Sequence, residues 1–335
     1  MSALPESGPG RFRPRGLLAS PHLQSVLTSG PWRRRSVGRR TEDYRAASRR
    51  EIVSTPEGVH LLGYRNLTRA ARRRGLVILL HGWEGSVDSN YLLSTAATLD
   101  RAGFDTFRLN FRDHGDSHHL NLELFHSCRL REVLDAVRLV AQARESGPVY
   151  LVGFSLGGNF ALRVARHGPA NGLELDRVVA ISPVVRPRHV MEALENGFML
   201  YEQYFVVKWR RSLQRKQLLF PEHFDFSRWF RLKKLRSQTA HLVEHYTDFP
   251  NLEAYLEGYS IAGDYLEGLK TPSLVITAAD DPIIPIRDFQ ALPRPDALTI
   301  EMLGRGGHCG FLENWRLECW IERKIVSELC QPMNN

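Results

Sequence analysis

The sequence predicts an α/β protein whose mostly parallel sheet is covered by helices on both faces, with a helical lid inserted into it. Three observations support this fold class. Residues 75–80 and 177–185 are apolar stretches of the kind found in strands that are buried on both sides. Strand and helix patterns alternate along most of the chain, as they do in parallel sheets. The alternation stops between residues 186 and 269, where there is no clear strand pattern.

The first half of the chain supplies an edge hairpin and then the alternating elements. Residues 51–54 and 59–64 flank the turn Thr55-Pro56-Glu57-Gly58 and predict the hairpin. The buried strand 75–80 is followed by a helix pattern that carries Leu92, Leu93, Ala96 and Ala97 on one face and stops at Gly103.

The same alternation continues to the C-terminus. A strand is predicted at 105–111, and apolar residues between 130 and 141 recur at helical spacing. After the inserted stretch, strands at 273–277 and 297–302 resume the sheet. The closing helix has the apolar stripe Leu317, Ile321, Ile325 and Leu329.

These patterns divide the chain into three parts. Residues 1–50 are rich in Pro and Arg with little periodicity, so we expect an irregular strap over the domain. Residues 51–185 and 270–335 form the core. Residues 186–269 form a helical lid, whose aromatic side chains either line a pocket for acyl chains or pack the lid onto the core.

Composition and charge limit the location and the partners. The 335 residues are 43% hydrophobic and 24% charged, as in soluble globular proteins. No apolar stretch is long enough to cross a bilayer, and the N-terminus lacks the apolar centre of a signal peptide, so we expect a cytoplasmic location.

The net charge of +8 is concentrated near the N-terminus, where residues 1–50 hold 11 Arg and three acidic residues. No nucleic-acid-binding module accompanies these arginines, so no nucleic-acid partner is expected. Attraction of these arginines to anionic lipid headgroups is favoured over nucleic-acid binding, so peripheral contact with an anionic membrane remains an alternative.

The stretch PVYLVGFSLGG, residues 148–158, contains the central motif. An apolar strand runs directly into Gly153-Phe154-Ser155-Leu156-Gly157, which matches G-x-S-x-G, and a helix pattern follows. A serine at the tip of a tight strand-to-helix turn needs small residues two positions before it and two after it, and both are glycine. We interpret Ser155 as a nucleophile; the alternative is an unimportant serine in a Gly-rich turn.

A serine nucleophile needs a base and a carboxylate that orients the base. His308, flanked by glycines in the loop after the last predicted strand, is the candidate base. The candidate carboxylate is Asp281 or Asp280. We prefer Asp281 because it stands directly before Pro282, but the sequence alone does not separate adjacent acids. The order Ser155, Asp281, His308 supports the assignment.

The backbone N–H groups of Trp83 and Leu156 are the candidate oxyanion donors. Leu156 follows the nucleophile, and Trp83 follows the pair His81-Gly82 at a strand end. No dinucleotide-binding or Walker-type fingerprint occurs, and this chemistry requires no cofactor.

Two histidine-containing clusters elsewhere in the sequence are weak candidates for a metal site. One cluster comprises Asp113, His114, Asp116, His118 and His119, and another His241 and His245. Neither has a recognised ligand spacing, so no metal is expected, and we interpret the first cluster as a turn that helps to shape the pocket. The four cysteines show no metal-type or redox pairing, although Cys309 stands beside His308.

Five motifs together resemble one known family. They are SPHLQS (20–25), HGWEGS (81–86), NFRDHGDS (110–117), GFSLGGN (153–159) and GYSIAGDYLEGLKTPSLVITAADDP (258–282). From about Pro21 to the C-terminus the chain resembles the YheT-like branch of the α/β-hydrolase superfamily. The resemblance implies a Ser-Asp-His hydrolase of carboxylic esters, with medium-chain acyl esters or phospholipids as substrates, and carries over Ser155, Asp281 and His308 as the triad. The histidine-rich RDHGDSHHL departs from the branch pattern, which leaves the substrate open.

We therefore expect a serine hydrolase that cleaves small-molecule acyl esters, medium-chain or lipid-like, through an acyl-enzyme on Ser155. Two alternatives remain. One is an acyltransferase that uses the same triad, and the other is a non-catalytic binding protein that kept the fold.

Overall fold

A computed structural model describes residues 12–331. The first 11 residues of the Arg-rich segment and the last four residues of the core lie outside this range.

Eight strands within the described residues form one sheet, in the order β1-β2-β4-β3-β5-β6-β7-β8. Strands β3 to β8 are parallel, and β2 pairs antiparallel with both β1 and β4. Their bounds are β1 Arg49–Ser54, β2 His60–Asn66, β3 Leu76–Leu80, β4 Asp105–Leu109, β5 Val149–Phe154, β6 Arg177–Ile181, β7 Ser273–Ala278 and β8 Leu298–Leu303.

Twelve α-helices accompany the sheet in the same range. They are α1 Pro21–Ser29, α2 Pro31–Arg40, α3 Glu42–Ala46, α4 Asn90–Arg101, α5 Leu130–Gln142, α6 Leu156–His167, α7 Pro187–Asn196, α8 Met199–Leu219, α9 Leu235–Tyr246, α10 Leu252–Glu257, α11 Ile286–Gln290 and α12 Trp320–Cys330.

The sheet is buried on both faces because alternate side chains of its central strands enter different core clusters. In β3, Leu76, Ile78 and Leu80 pack with α5 and α6, whereas Val77 and Leu79 pack with α4 and α12. All five residues are buried, as the continuous apolar stretch indicates. The predicted fold class, a mostly parallel sheet between two layers of helices, is confirmed.

The predicted edge hairpin is also present. Strands β1 and β2 pair antiparallel from Ser54 opposite His60 to Arg49 opposite Arg65, and β1 is the outermost strand.

The expectation of an irregular strap over residues 1–50 is wrong for the part that the structure describes. This part contains α1, α2 and α3, because Pro21 and Pro31 occupy first-turn helix positions, where a proline lacks only an N–H that would have no partner. The helices are anchored in the core. Arg33 in α2 is fully buried, and its Nη2 donates a 2.7 Å hydrogen bond to Glu322 in α12.

The chain between β6 and β7 consists of helices joined by loops, without a strand in residues 186–269, all of which are described. It contains α7 to α10. The sequence pattern predicted helices here. Their action as a lid remains a prediction.

None of the helices in residues 12–331 combines the length and the apolar character needed to span a membrane.

We predict that Arg33→Ala lowers the free energy of unfolding by about 3–5 kcal/mol, because it leaves the buried carboxylate of Glu322 without its partner. The exposed neighbour provides a control, since Arg34→Ala is expected to change stability by less than about 0.5 kcal/mol. Urea unfolding followed by tryptophan fluorescence measures both. Equal midpoints for the two variants would contradict the anchoring of α2 in the core.

Candidate active site

Ser155 lies at the sharp turn between β5 and α6, at the carboxyl edge of the sheet. Its backbone has a positive φ, with φ 54° and ψ −117°, which is rare for a residue other than glycine. Side chains at the flanking glycines would not fit: a Cβ on Gly153 would collide with the carbonyl oxygen of Gly157, and a Cβ on Gly157 would collide with that of Leu80. The G-x-S-x-G spacing thus reflects close backbone contacts, and the turn presents the Ser155 side chain away from the strand.

His308 lies in the loop after β8 and contacts both other predicted residues. Its Nε2 is 3.0 Å from Oγ of Ser155, and its Nδ1 is 2.9 Å from Oδ2 of Asp281. The carboxylate can only accept, so Nδ1 carries the proton and Nε2 of the neutral ring faces the serine hydroxyl. The structure therefore joins Ser155, His308 and Asp281 in one hydrogen-bonded chain.

The two adjacent acids that the sequence left open have different partners. Asp281 is buried, and its second oxygen accepts hydrogen bonds from the N–H groups of Ile283 (2.8 Å) and Ile284 (3.0 Å). Asp280 instead accepts from the N–H of Gly307 at 2.9 Å. Asp281 is thus the acid in contact with His308, and Asp280 contacts the backbone of the same loop.

The environment of His308 favours the protonated ring. Burial by itself would lower the pKa of His308, but the Asp281 carboxylate stabilises the imidazolium and raises that pKa well above its ordinary value. The same carboxylate would stabilise the imidazolium that forms when the neutral ring takes the proton of a serine hydroxyl.

The two candidate oxyanion donors have no hydrogen-bond partner within residues 12–331. Leu156 is the first residue of α6, so its N–H lies at the positive end of the helix dipole. Trp83 belongs to the loop after β3, which touches the nucleophile: a Cβ on Gly82 would lie 3.2 Å from Cβ of Ser155.

A buried histidine fixes the peptide that carries the Trp83 N–H. The carbonyl of Gly82 is 2.7 Å from Nδ1 of His81, and Nε2 of His81 accepts from the N–H of Phe111 at 3.2 Å. Burial lowers the pKa of His81 well below its ordinary value, so the ring is neutral with its proton on Nδ1. Because N–H and C=O of a trans peptide point in opposite directions, holding the carbonyl of Gly82 orients the N–H of Trp83.

The inserted helices contact the same loop. The indole of Trp83 stacks on Phe205 and meets Trp209 edge-on, each with ring centroids 5.1 Å apart. The next residue, Glu84, accepts a 2.8 Å hydrogen bond from Nζ of Lys208 at its carbonyl, and donates its N–H to Nε2 of His114 at 3.2 Å. Sequence reasoning missed Lys208, for which the sequence carries no signal.

The histidine-rich cluster 113–119 is tied into the protein by hydrogen bonds and ion pairs. Asp113 pairs with the buried Lys216 at 2.7 Å, Asp116 pairs with Arg215 at 2.9 Å, and His118 contacts Ser212. No group of three or more side chains that could hold a metal ion occurs in the described part of the chain. Neither this cluster nor the pair His241 and His245 therefore forms such a group. The cluster connects the loop after β4 to α8.

A largely apolar cavity opens beside Ser155. It lies between the core and the inserted helices, and its wall includes Trp83, Val184, Met191, Leu194, Phe205 and Trp209. Two aromatic residues of the insertion, Phe205 and Trp209, line the cavity and also pack against Trp83 on the core. Whether the cavity takes acyl chains stays a prediction.

Comparison with known proteins shows the family to which the chain belongs. Residues 77–318 match the profile of the alpha/beta hydrolase family. The chain belongs to the alpha/beta hydrolase family. The hydrolase fold predicted from the resemblance is thus confirmed.

Two curated relatives and one solved structure are similar to this chain. The putative esterase YheT of Escherichia coli is 27% identical over 293 residues, which is 82% of either chain, and it confirms the YheT-like resemblance. Monoacylglycerol lipase ABHD2 of Danio rerio is 26% identical over 200 residues, covering 53% of this chain and 46% of that protein. Among solved structures, the Pyrococcus furiosus esterase Pf2001 superposes with a TM-score of 0.58 at 16% identity, covering 86% of this chain and 92% of its own, which shows the fold.

Protonation of His308 provides a test of the geometry that does not depend on activity. Because the Asp281 carboxylate stabilises the imidazolium, we expect a His308 pKa above 6.5 in the wild type and a lower one in Asp281→Asn. Asp280→Asn is the control, since Asp280 contacts the loop backbone and not the ring. NMR titration of His308 measures all three proteins, and an unchanged pKa in Asp281→Asn would contradict the structure.

Proposed function

We propose that this protein is a serine hydrolase of carboxylic esters, with Ser155 as nucleophile, His308 as base and Asp281 as the group that orients the base. The observation that carries the proposal is the position of His308, within hydrogen-bonding distance of both other residues. The names of two relatives, an esterase and a lipase, support the same reaction class.

In the acylation step, Oγ of Ser155 attacks the carbonyl carbon of the ester while Nε2 of His308 takes the hydroxyl proton. The imidazolium that forms is stabilised by Asp281, which keeps its negative charge. The backbone N–H groups of Leu156 and Trp83 donate to the oxyanion. His308 then returns the proton to the departing alkoxide, which leaves an acyl group on Ser155.

Water resolves the acyl-enzyme by the reverse use of the same groups. His308 removes a proton from water, hydroxide adds to the acyl carbon, and Ser155 leaves with the proton from His308. Only the neutral ring accepts a proton, so the rate falls as the pH drops through the pKa of His308. The raised pKa therefore places this loss of activity above the ordinary range of histidine.

The proposed substrates are medium-chain or lipid-like acyl esters. The apolar wall of the cavity beside Ser155, with Met191 and Leu194 from α7 and Phe205 and Trp209 from α8, supports an aliphatic acyl chain in this position. The reaction uses no cofactor. An acyltransferase with the same triad is the second candidate, and product analysis with an added alcohol acceptor separates the two.

The proposed setting is the cytoplasm, without a nucleic-acid partner. Peripheral contact with an anionic membrane also remains a proposal, and the exposed arginines of α2 support it: Arg34, Arg35, Arg39 and Arg40. Cosedimentation with anionic vesicles at increasing salt tests the contact.

A panel of p-nitrophenyl esters of increasing chain length tests the proposed function. We expect hydrolysis with a preference for medium chains, and a loss of at least about 10⁴-fold in kcat for Ser155→Ala. Cys309→Ala is the control, because its thiol lies 4.0 Å from Nε2 of His308 and is the alternative nucleophile nearby. Full activity in Ser155→Ala, or no hydrolysis of any ester by the wild type, would refute the proposal.

A further inference from the structure

The loop that carries His308 has an unusual backbone. Four of its residues have positive φ: Gly306 (154°), Gly307 (56°), Cys309 (54°) and Phe311 (51°). Left-handed backbone at non-glycine residues is unfavourable, and it persists where the surrounding structure holds it. The position of His308 therefore depends on what this loop packs against.

The neighbour of the loop is α1, which contains most of the SPHLQS motif. Gln24 in this helix is fully buried. Its Oε1 accepts the N–H of Leu312 at 2.7 Å, and its Nε2 donates to the carbonyls of Leu312 (2.9 Å) and Leu18 (2.6 Å). The amide thus binds both backbone groups of one residue at the end of the loop, as a paired strand would, across 288 positions of sequence.

The adjacent Ser25 holds the histidine itself. Its Oγ accepts the backbone N–H of His308 at 2.9 Å and donates to the carbonyl of Pro21 at 2.8 Å. The hydroxyl proton is directed to its own helix, so a lone pair of Oγ faces the His308 N–H. Two consecutive side chains of α1 therefore fix the loop at His308 and at Leu312.

Two glycines, one on each side of His308, show how closely α1 packs against the loop. A Cβ on Gly307 would lie 2.8 Å from Oγ of Ser25, and a Cβ on Gly310 would lie 2.7 Å from Cβ of Gln24. Any side chain at these positions would push α1 away. The glycines of the loop and the polar residues of SPHLQS are thus parts of one packing arrangement.

We propose that Gln24 and Ser25 are positioning residues for His308, so that the N-terminal motif SPHLQS acts in the reaction through the base. This inference rests on the proposed function. Neither residue lines the cavity beside Ser155, so they act on the chemical steps and not on substrate binding. A misplaced imidazole slows both proton transfers, from Ser155 and from water.

The main test is Gln24→Met, which keeps the size of the side chain and removes both kinds of hydrogen bond to Leu312. We expect kcat for a p-nitrophenyl ester to fall by about 10²-fold with KM unchanged. Ser25→Ala, which removes the acceptor of the His308 N–H, is the second variant and should also lower kcat. Ser25→Thr restores a hydroxyl at this position and should restore the rate. Gln24 gives the cleaner result, because Ser25 also lies close to Tyr201 of α8.

Thr28→Ala is the matched control. Thr28 is also buried in α1, but its hydroxyl donates to the carbonyl of Gln24 in its own helix and does not contact the loop. We expect a lower melting temperature in this variant with kcat unchanged. Thermal melts of all variants identify those that fold.

A second measurement does not depend on activity. The proton between Nδ1 of His308 and Asp281 gives a low-field NMR resonance, which we expect to shift or broaden in Gln24→Met and to persist in Thr28→Ala. A folded Gln24→Met with wild-type kcat and an unchanged resonance overturns the inference and leaves the proposed function intact. Absence of ester hydrolysis in the wild type overturns the proposed function. In that case the resonance still shows whether Gln24 positions His308.

Discussion

The structure depends on one imidazole that reaches two partners at once. His308 bridges Ser155, which is 153 positions earlier in the chain, and Asp281, which is 27 positions earlier. Each bond needs a donor and an acceptor within about 3 Å. A displacement of the His308 ring that preserves one of these hydrogen bonds readily breaks the other. The parallel sheet solves this problem because the ends of β5, β7 and β8 meet at one edge and place the three loops side by side.

Backbone strain is concentrated at the same edge. Among the described residues, the non-glycine residues with positive φ are mostly in loops that follow the carboxyl ends of strands: Glu84, Asp113, Ser155, Ser182, Cys309 and Phe311. Such conformations cost on the order of 1–3 kcal/mol each, and neighbouring groups have to offset this cost. Here these groups include Lys208 and His114 at Glu84 and residues of α1 at the His308 loop. The inserted helices and the N-terminal helices are therefore parts of the site.

Much of the fold and of the candidate site could be predicted because it rests on local patterns. The apolar strands and the G-x-S-x-G turn are visible in short windows of sequence, and the order of Ser155, Asp281 and His308 can be read along the chain. The choice between Asp280 and Asp281 could not be made from the sequence, since it depends on which of two adjacent carboxylates faces the His308 ring. The start of the last helix pattern was also inexact: Leu317 lies before α12 and has positive φ.

The N-terminal segment shows a different limit. Its Pro and Arg content indicated irregular structure, yet Pro21 and Pro31 begin helices and Arg33 is buried. The contacts of Gln24 with Leu312 and of Lys208 with Glu84 join residues 288 and 124 positions apart. No periodicity in a single sequence records such pairs, since Gln24 and Lys208 each occur in an ordinary helix and their partners lie in distant loops.

The most direct test of the central claim is to trap the acyl-enzyme. The protein is mixed with a medium-chain p-nitrophenyl ester, quenched in acid during turnover, and analysed by peptide mass spectrometry. We expect one acyl group on the peptide that contains Ser155, and none in Ser155→Ala. Turnover without an acyl group on Ser155, or with the acyl group on Cys309, would contradict the central claim.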